Sequence, residues 1–249
     1  MEAGSFCWVE LATPNPAEAQ KFYKKLFGWE VQQPSDAKHM YTLFARGGDT
    51  VAGCFQLPEE LRKQGVPPHW LVYVATPNAD AAAQRAARLG GKVVRSAFDA
   101  QDLGRLAVLQ DPAGAVFAVW QALRFAGFSA QDDNAFDWAE LITPDRKRAS
   151  EFYGELFGWQ IESANERGYR QINNGGHGIG GIPAASERDP QAPPHWLAWF
   201  QVVDCDASVE DAEGNGAHTQ LRPSSLEGVG RISILQDPQG AAFALTAAV

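Results

Sequence analysis

The apolar positions of the first fifty-odd residues change period twice. Residues 5–12, centred on Val9-Glu10-Leu11, alternate and carry aromatic and β-branched side chains, which predicts a strand. Thr13-Pro14-Asn15-Pro16 ends it, with Asn15 placed as an N-cap and Pro16 at the first helical position. Ala19, Phe22, Tyr23 and Leu26 then recur at i, i+3, i+4 and i+7, an apolar stripe on one helix face, and Gly28 is placed as its C-cap. Short apolar runs near 29–33, 39–46 and 50–56 predict three strands, with Gly47-Gly48 as the hairpin turn between the last two. Pro58, Pro67 and Pro68 bracket a polar connection. The unit reads β-α-β-β-β.

The same pattern returns along the chain, and the repetition decides the organisation. Ala75-Thr76-Pro77-Asn78 repeats Ala12-Thr13-Pro14-Asn15 at an offset of 63, and an Ala-rich helix and strands near 92–95, 105–110 and 115–121 follow. Residues 6–29 and 136–159 are identical at 13 of 24 positions. The Tyr41 strand recurs at Tyr169, PPHW recurs at 193–196, and the segment from Gly104 recurs from Gly230. The chain therefore holds four modules in two halves: a domain at 1–123, a polar linker at 124–135 and a second domain at 136–249. Gly214 and Gly216 interrupt the helix expected after Asp206.

Composition narrows the partners. The formal net charge of −9 disfavours nucleic acid phosphates and anionic lipid. No run of 18 apolar residues is present, so no membrane span is expected. The opening Met1-Glu2 runs into the first strand without a basic-then-apolar leader, and the three cysteines lack CxxC spacing. Together these lead to the expectation of a cytoplasmic protein with reduced thiols.

Trp8-Val-Glu-Leu, Phe22-Tyr23, Leu26-Phe-Gly-Trp29 and Asp111-Pro-Ala-Gly114, each with a second copy, resemble the vicinal oxygen chelate superfamily. That superfamily includes glyoxalases, bleomycin-resistance proteins and extradiol dioxygenases. The resemblance implies an α+β fold: two tandem domains, each of two paired βαβββ modules forming a curled mixed sheet with helices outside. It is specific for the fold and much less so for an activity, since such a fold hosts binders and several chemistries.

Enzymes of the superfamily hold a metal on the inner face of the curled sheet, with ligands from first and last strands of the modules. The resemblance puts those ligands at Trp8 and Ala118 in the first half and at Trp138 and Ala244 in the second, and the internal repeat sets Leu71 opposite Trp8, with Leu197 as its copy. None of these side chains coordinates a divalent ion. The five histidines, His39, His69, His177, His195 and His218, form no HxH or HxxxH pair. No metal and no cofactor are expected.

Strand alternation extends this reading, because side chains two apart share a face. Phe6, Glu10, His69, Tyr73 and Trp120 join Trp8, Leu71 and Ala118. Phe136, Glu140, His195 and Trp199 join Trp138, Leu197 and Ala244. Each half then offers an aromatic and apolar surface with one carboxylate and one imidazole, a profile for a small flat organic molecule. Gly175–Gly181 lacks the Lys-Ser/Thr of a phosphate loop and reads as a turn between strands.

Three readings stand. The first is a metal-independent binder of a small hydrophobic or aromatic molecule. The second is a glyoxalase-like lyase or isomerase using Glu10, Glu140, His69 and His195 as acid–base groups. The third is a structural or interaction protein whose tryptophans fill its own cups. Neither nucleic acid nor membrane is an expected partner, and a homodimer is left open.

Overall fold

A computed structural model describes residues 1–32, 41–128, 134–184 and 192–248. His39, the first two residues of the strand expected at 39–46, residue 33 and linker residues 129–133 lie outside the described residues.

The first module comprises β1 (Phe6–Thr13), α1 (Pro16–Phe27), β2 (Glu30–Gln32), β3 (Tyr41–Arg46) and β4 (Asp49–Gln56). The Asn15 carboxamide accepts from the Glu18 backbone N–H, and Gly28 closes α1 at φ 70°, a left-handed turn that glycine adopts without steric cost. A short polar helix, α2 (Glu59–Lys63), fills the connection that periodicity left without an element. The second module is β5 (His69–Ala75), α3 (Ala79–Arg88), β6 (Lys92–Ala100), β7 (Gly104–Gln110) and β8 (Val116–Ala122).

The third module is β9 (Phe136–Ile142), α4 (Arg146–Phe157), β10 (Gln160–Ile161), β11 (Arg170–Asn174) and β12 (His177–Ile182). The fourth is β13 (His195–Gln201), α5 (Cys205–Gly214), β14 (His218–Leu226), β15 (Gly230–Gln236) and β16 (Ala242–Ala247). Helix α5 begins at Cys205, one residue before Asp206, because the Asp204 carboxylate accepts from the Ala207 N–H and caps it there. Gly214 is its last residue rather than an interruption.

The strands form two eight-stranded mixed sheets, in the orders β2-β3-β4-β1-β5-β8-β7-β6 and β10-β11-β12-β9-β13-β16-β15-β14. The fold is tandem α+β, as the resemblance implied. Gly175-Gly176 is a turn that joins β11 to β12, with both residues at positive φ.

By contact density the chain divides into two compact units, each drawn from both halves of the repeat. One comprises Met1–Cys7, Val72–Gly127 and Trp138–Leu197. Its core is aromatic: Tyr153 packs against Phe117, Trp159 and Trp196. The other comprises Trp8–Leu71, Phe128–Asp137 and Ala198–Val249. There Tyr23 packs against Trp29, Phe44, Trp70 and Phe243. These rings are nearly or wholly shielded from solvent, so each unit buries a substantial apolar area where dispersion and water release both contribute.

Candidate functional site

On β1, all eight residues are buried, so both faces of the strand are covered. The Glu10 position pairs with Gly53 of β4, and Gly53 in turn with Leu43 of β3. Gly53 leaves a gap in that row, and the Tyr41 ring lies over it: a Cβ at Gly53 would sit 2.9 Å from Tyr41 Cζ and 3.1 Å from Glu10 Cβ. The Tyr41 hydroxyl thereby reaches both Trp8 and Glu10. It accepts from Trp8 Nε1 at 3.1 Å and donates to Glu10 Oε2 at 3.0 Å. Phe128 covers Trp8, with ring centroids 5.5 Å apart. Burial, reinforced by the Glu10 carboxylate, holds the Tyr41 phenol well above its ordinary range, so it stays a neutral donor.

The third module repeats the device. Glu140 pairs with Gly181, a Cβ at Gly181 would overlap the Tyr169 ring, and Trp138 Nε1 donates to the Tyr169 hydroxyl at 2.9 Å. Here Trp138 and Glu140 are half-buried, whereas Trp8 and Glu10 are only 4% and 8% exposed. Tyr41 and Tyr169 were not among the residues singled out from the sequence. The available signal was the recurrence of Tyr41 at Tyr169 together with Gly53 at Gly181, both at an offset of 128.

The remaining candidates are distributed. Phe6 packs against Trp159 and Trp196 in the aromatic core of its unit. Phe136 stacks on Phe128 and meets Phe200 edge-on. Tyr73 pairs with Ala118 across β5 and β8 and touches the Trp120 ring, whose Nε1 donates to the Phe125 carbonyl at 2.8 Å. Trp199 pairs with Ala244 across β13 and β16. Leu71 and Leu197 are buried.

His69 and His195 occupy equivalent positions, and each Nδ1 lies 2.8 Å from the carbonyl oxygen two residues earlier, Pro67 or Pro193. A carbonyl oxygen only accepts, so each Nδ1 carries the proton in this contact. Burial lowers both imidazole pKa values, which leaves the rings neutral at pH 7.

Trp8, Leu71, Ala118, Trp138, Leu197 and Ala244 are the positions where the resemblance and the internal repeat put metal ligands. The Trp8 and Trp138 N–H groups are donors already given to tyrosine oxygens, and leucine and alanine have no donor atom for a metal. Among the described residues no group of three or more His, Cys, Asp or Glu side chains could hold a metal ion. The residues present at these positions do not fit one.

Comparison with known proteins agrees with this architecture. A family described as "Glyoxalase-like domain" matches residues 8–120, and "Glyoxalase/Bleomycin resistance protein/Dioxygenase superfamily" matches residues 135–245. "Putative glyoxylase CFP32" of Mycobacterium tuberculosis is 33% identical over 244 residues, covering 96% of this chain and 92% of that protein. The chain belongs to the glyoxalase/bleomycin resistance protein/dioxygenase superfamily.

A second relative within this superfamily's reach is "Anthracycline biosynthesis protein DnrV" of Streptomyces peucetius. It is 33% identical over 258 residues, with 97% of this chain and 92% of that protein covered. Among solved structures, the Mn(II)-bound glyoxalase from Novosphingobium aromaticivorans superposes with a TM-score of 0.69 at 15% identity, covering 98% of this chain and 82% of that one. The 2,3-dioxygenase LapB from Pseudomonas sp. KL28 gives 0.65 at 12% identity, covering 99% and 93%. At such identities the superfamily fold is what is shared, not a chemistry.

Proposed function

We propose that this superfamily member binds a small hydrophobic or aromatic molecule without using a metal, against the tryptophan-bearing faces of its sheets. The observation that carries the reading is the Trp8–Tyr41–Glu10 cluster with its Trp138–Tyr169 counterpart. A large aromatic ring, its N–H given to a phenol, stands on β1 and again on β9 where the resemblance puts a metal ligand. Such surfaces favour flat apolar molecules through burial and ring contacts. The name of the Streptomyces peucetius relative supports an aromatic ligand class, since an anthracycline is a polycyclic aromatic compound. The ligand and a second copy of the chain are the partners proposed, in a cytoplasmic setting.

The test is a titration of the purified, untagged protein with 1,4-dihydroxyanthraquinone, following tryptophan emission, alongside elemental analysis of the same sample. Saturable quenching with less than a tenth of an equivalent of metal per chain is expected. Stoichiometric metal, or no saturable quenching, overturns the reading.

One contact favours a second reading, a glyoxalase-like lyase or isomerase. Tyr41 donates to Glu10 within hydrogen-bond distance for proton transfer. In that case Glu10→Gln and Glu140→Gln lower turnover of an α-oxoaldehyde–thiol adduct at least a hundredfold, an effect of the size general acid–base catalysis contributes. Equal rates in wild type and both variants remove these carboxylates from any mechanism.

A further inference from the structure

The two halves differ in the state of their last modules. In β5–β8, Trp120 lies in register with Leu106 of β7, and Leu106 with Phe98 of β6. The Trp120 ring occupies the space where a Cβ on Gly104 would project, and its N–H is held by the Phe125 carbonyl. Leu106 beside it is buried. The Arg95 guanidinium lies 3.6 Å above the Phe98 ring, covering a further part of the same strand pair. This face is filled by its own side chains.

The equivalent face in β13–β16 is stripped of that bulk. Thr246 stands where Trp120 stands in the first half, and Ser224 where Phe98 stands. In register with Thr246, Ile232 is half-exposed rather than buried. A ladder runs across the four strands from Trp199 to Ala244, Ile234 and Leu221, ending on an exposed leucine. At its head Trp199 is 7% exposed, and its Nε1 is a buried donor with no hydrogen-bond partner. Such a donor loses its water without gaining an acceptor, an arrangement rare enough in folded proteins to demand a cause.

We propose that the second half alone carries the binding site, and that the Trp199 indole N–H donates to a carbonyl oxygen of a flat aromatic ligand lying along the half-exposed Ile234 and Ile232. The inference rests on the binding reading above and narrows its ligand to an aromatic ketone or quinone. Thr246 in place of a tryptophan removes the ring that fills the first half, and the unpaired donor supplies the polar anchor. In the first half Tyr73 stands where Trp199 stands, so that half has no indole donor at this register, and the Trp120 ring, its N–H given to the Phe125 carbonyl, fills the face instead.

Calorimetric titration with 1,4-dihydroxyanthraquinone, which carries carbonyls, and with naphthalene, an aromatic with no acceptor oxygen, tests this. One site per chain is expected for the quinone. Trp199→Phe weakens the quinone about fivefold to tenfold, the worth of one neutral hydrogen bond, and leaves naphthalene unchanged. Thr246→Trp, which restores the bulk of the first half, abolishes quinone binding while urea unfolding remains cooperative. Wild-type quinone affinity in Trp199→Phe, or in Thr246→Trp, overturns the inference and leaves the binding reading standing. A wild-type protein that binds no quinone at all overturns both.

Discussion

The Tyr23 hydroxyl lies 3.1 Å from Asp237 Oδ2, across 214 positions of sequence. It joins the FY pair of the first module to the DPxG turn of the fourth, inside one compact unit. Tyr23 also accepts from Trp70 Nε1 at 3.0 Å, while Asp237 Oδ1 accepts from the Gln239 and Ala241 N–H groups. Tyr153, Asp111 and Trp196 repeat the arrangement in the other unit, with Tyr153 3.3 Å from Asp111 Oδ2. Tyr23→Phe removes a shared hydroxyl from a buried network. It is expected to cost about 1–3 kcal/mol of stability, read as a lower urea midpoint with the slope unchanged. Tyr153→Phe acts alike, and an unshifted midpoint in both would show that the network adds nothing.

The gap at Gly53 carries a second expectation. Gly53→Ala places a methyl against the Tyr41 ring and the Glu10 side chain. Overpacking of this kind costs about 1–3 kcal/mol. Tyr41→Phe removes the hydroxyl that the methyl meets first, so the double variant should lose less than the sum of the two single losses. Strict additivity in a double-mutant cycle would place the methyl elsewhere. Gly181→Ala should behave in the same way against Tyr169.

Stability should fall as the solution is acidified through the histidine range. Burial depresses the folded-state pKa of His69 and His195 below the ordinary 6.5. The unfolded chain then binds more protons in that window, so the stabilisation present above pH 6.5 is lost as pH drops through the folded-state values. Urea unfolding at pH 7.5, 6.5 and 5.5 checks the sign. In His69→Gln/His195→Gln the decline over this range should be shallower, and an identical decline would assign it to other groups.

The thiols offer a simpler measurement. Cys7, Cys54 and Cys205 are free and buried, and burial pushes the first two up to about 12 and the third to about 11. The thiolate is the reactive form, so native protein at pH 8 should react with Ellman's reagent far more slowly than a free thiol. All three should react at once in 6 M guanidinium. Rapid titration of any one in native protein would contradict its burial.

Much of the fold was legible along the chain because its signals are local. Asn15 caps α1 and Gly28 ends it where the pattern placed them. Helix α5 was less legible: Gly214 and Gly216 read as interruptions, whereas Gly214 is its last residue and the Asp204 cap sets its start. The candidate site was legible on one strand at a time. Alternation grouped Phe6 with Trp8, yet Phe6 packs on Trp159 and Trp196 while Trp8 meets Tyr41 and Phe128. Alternation fixes which way a side chain points and says nothing about which distant segment it meets.

The sequence by itself determined the duplication, the βαβββ plan and the apolar character of the aligned ligand positions, since each depends on residue identity and short-range spacing. Tertiary structure decided that Tyr23 meets Asp237 and that Tyr41 links Trp8 to Glu10. It also left Trp199 Nε1 without a partner while Trp120 found the Phe125 carbonyl. The reason is physical: a hydrogen bond needs a partner within about 3 Å, and strand register and the packing of remote segments set that distance. Glu10 and Glu140 show it most simply. They hold the same place in the same motif, and packing shields one more completely than the other.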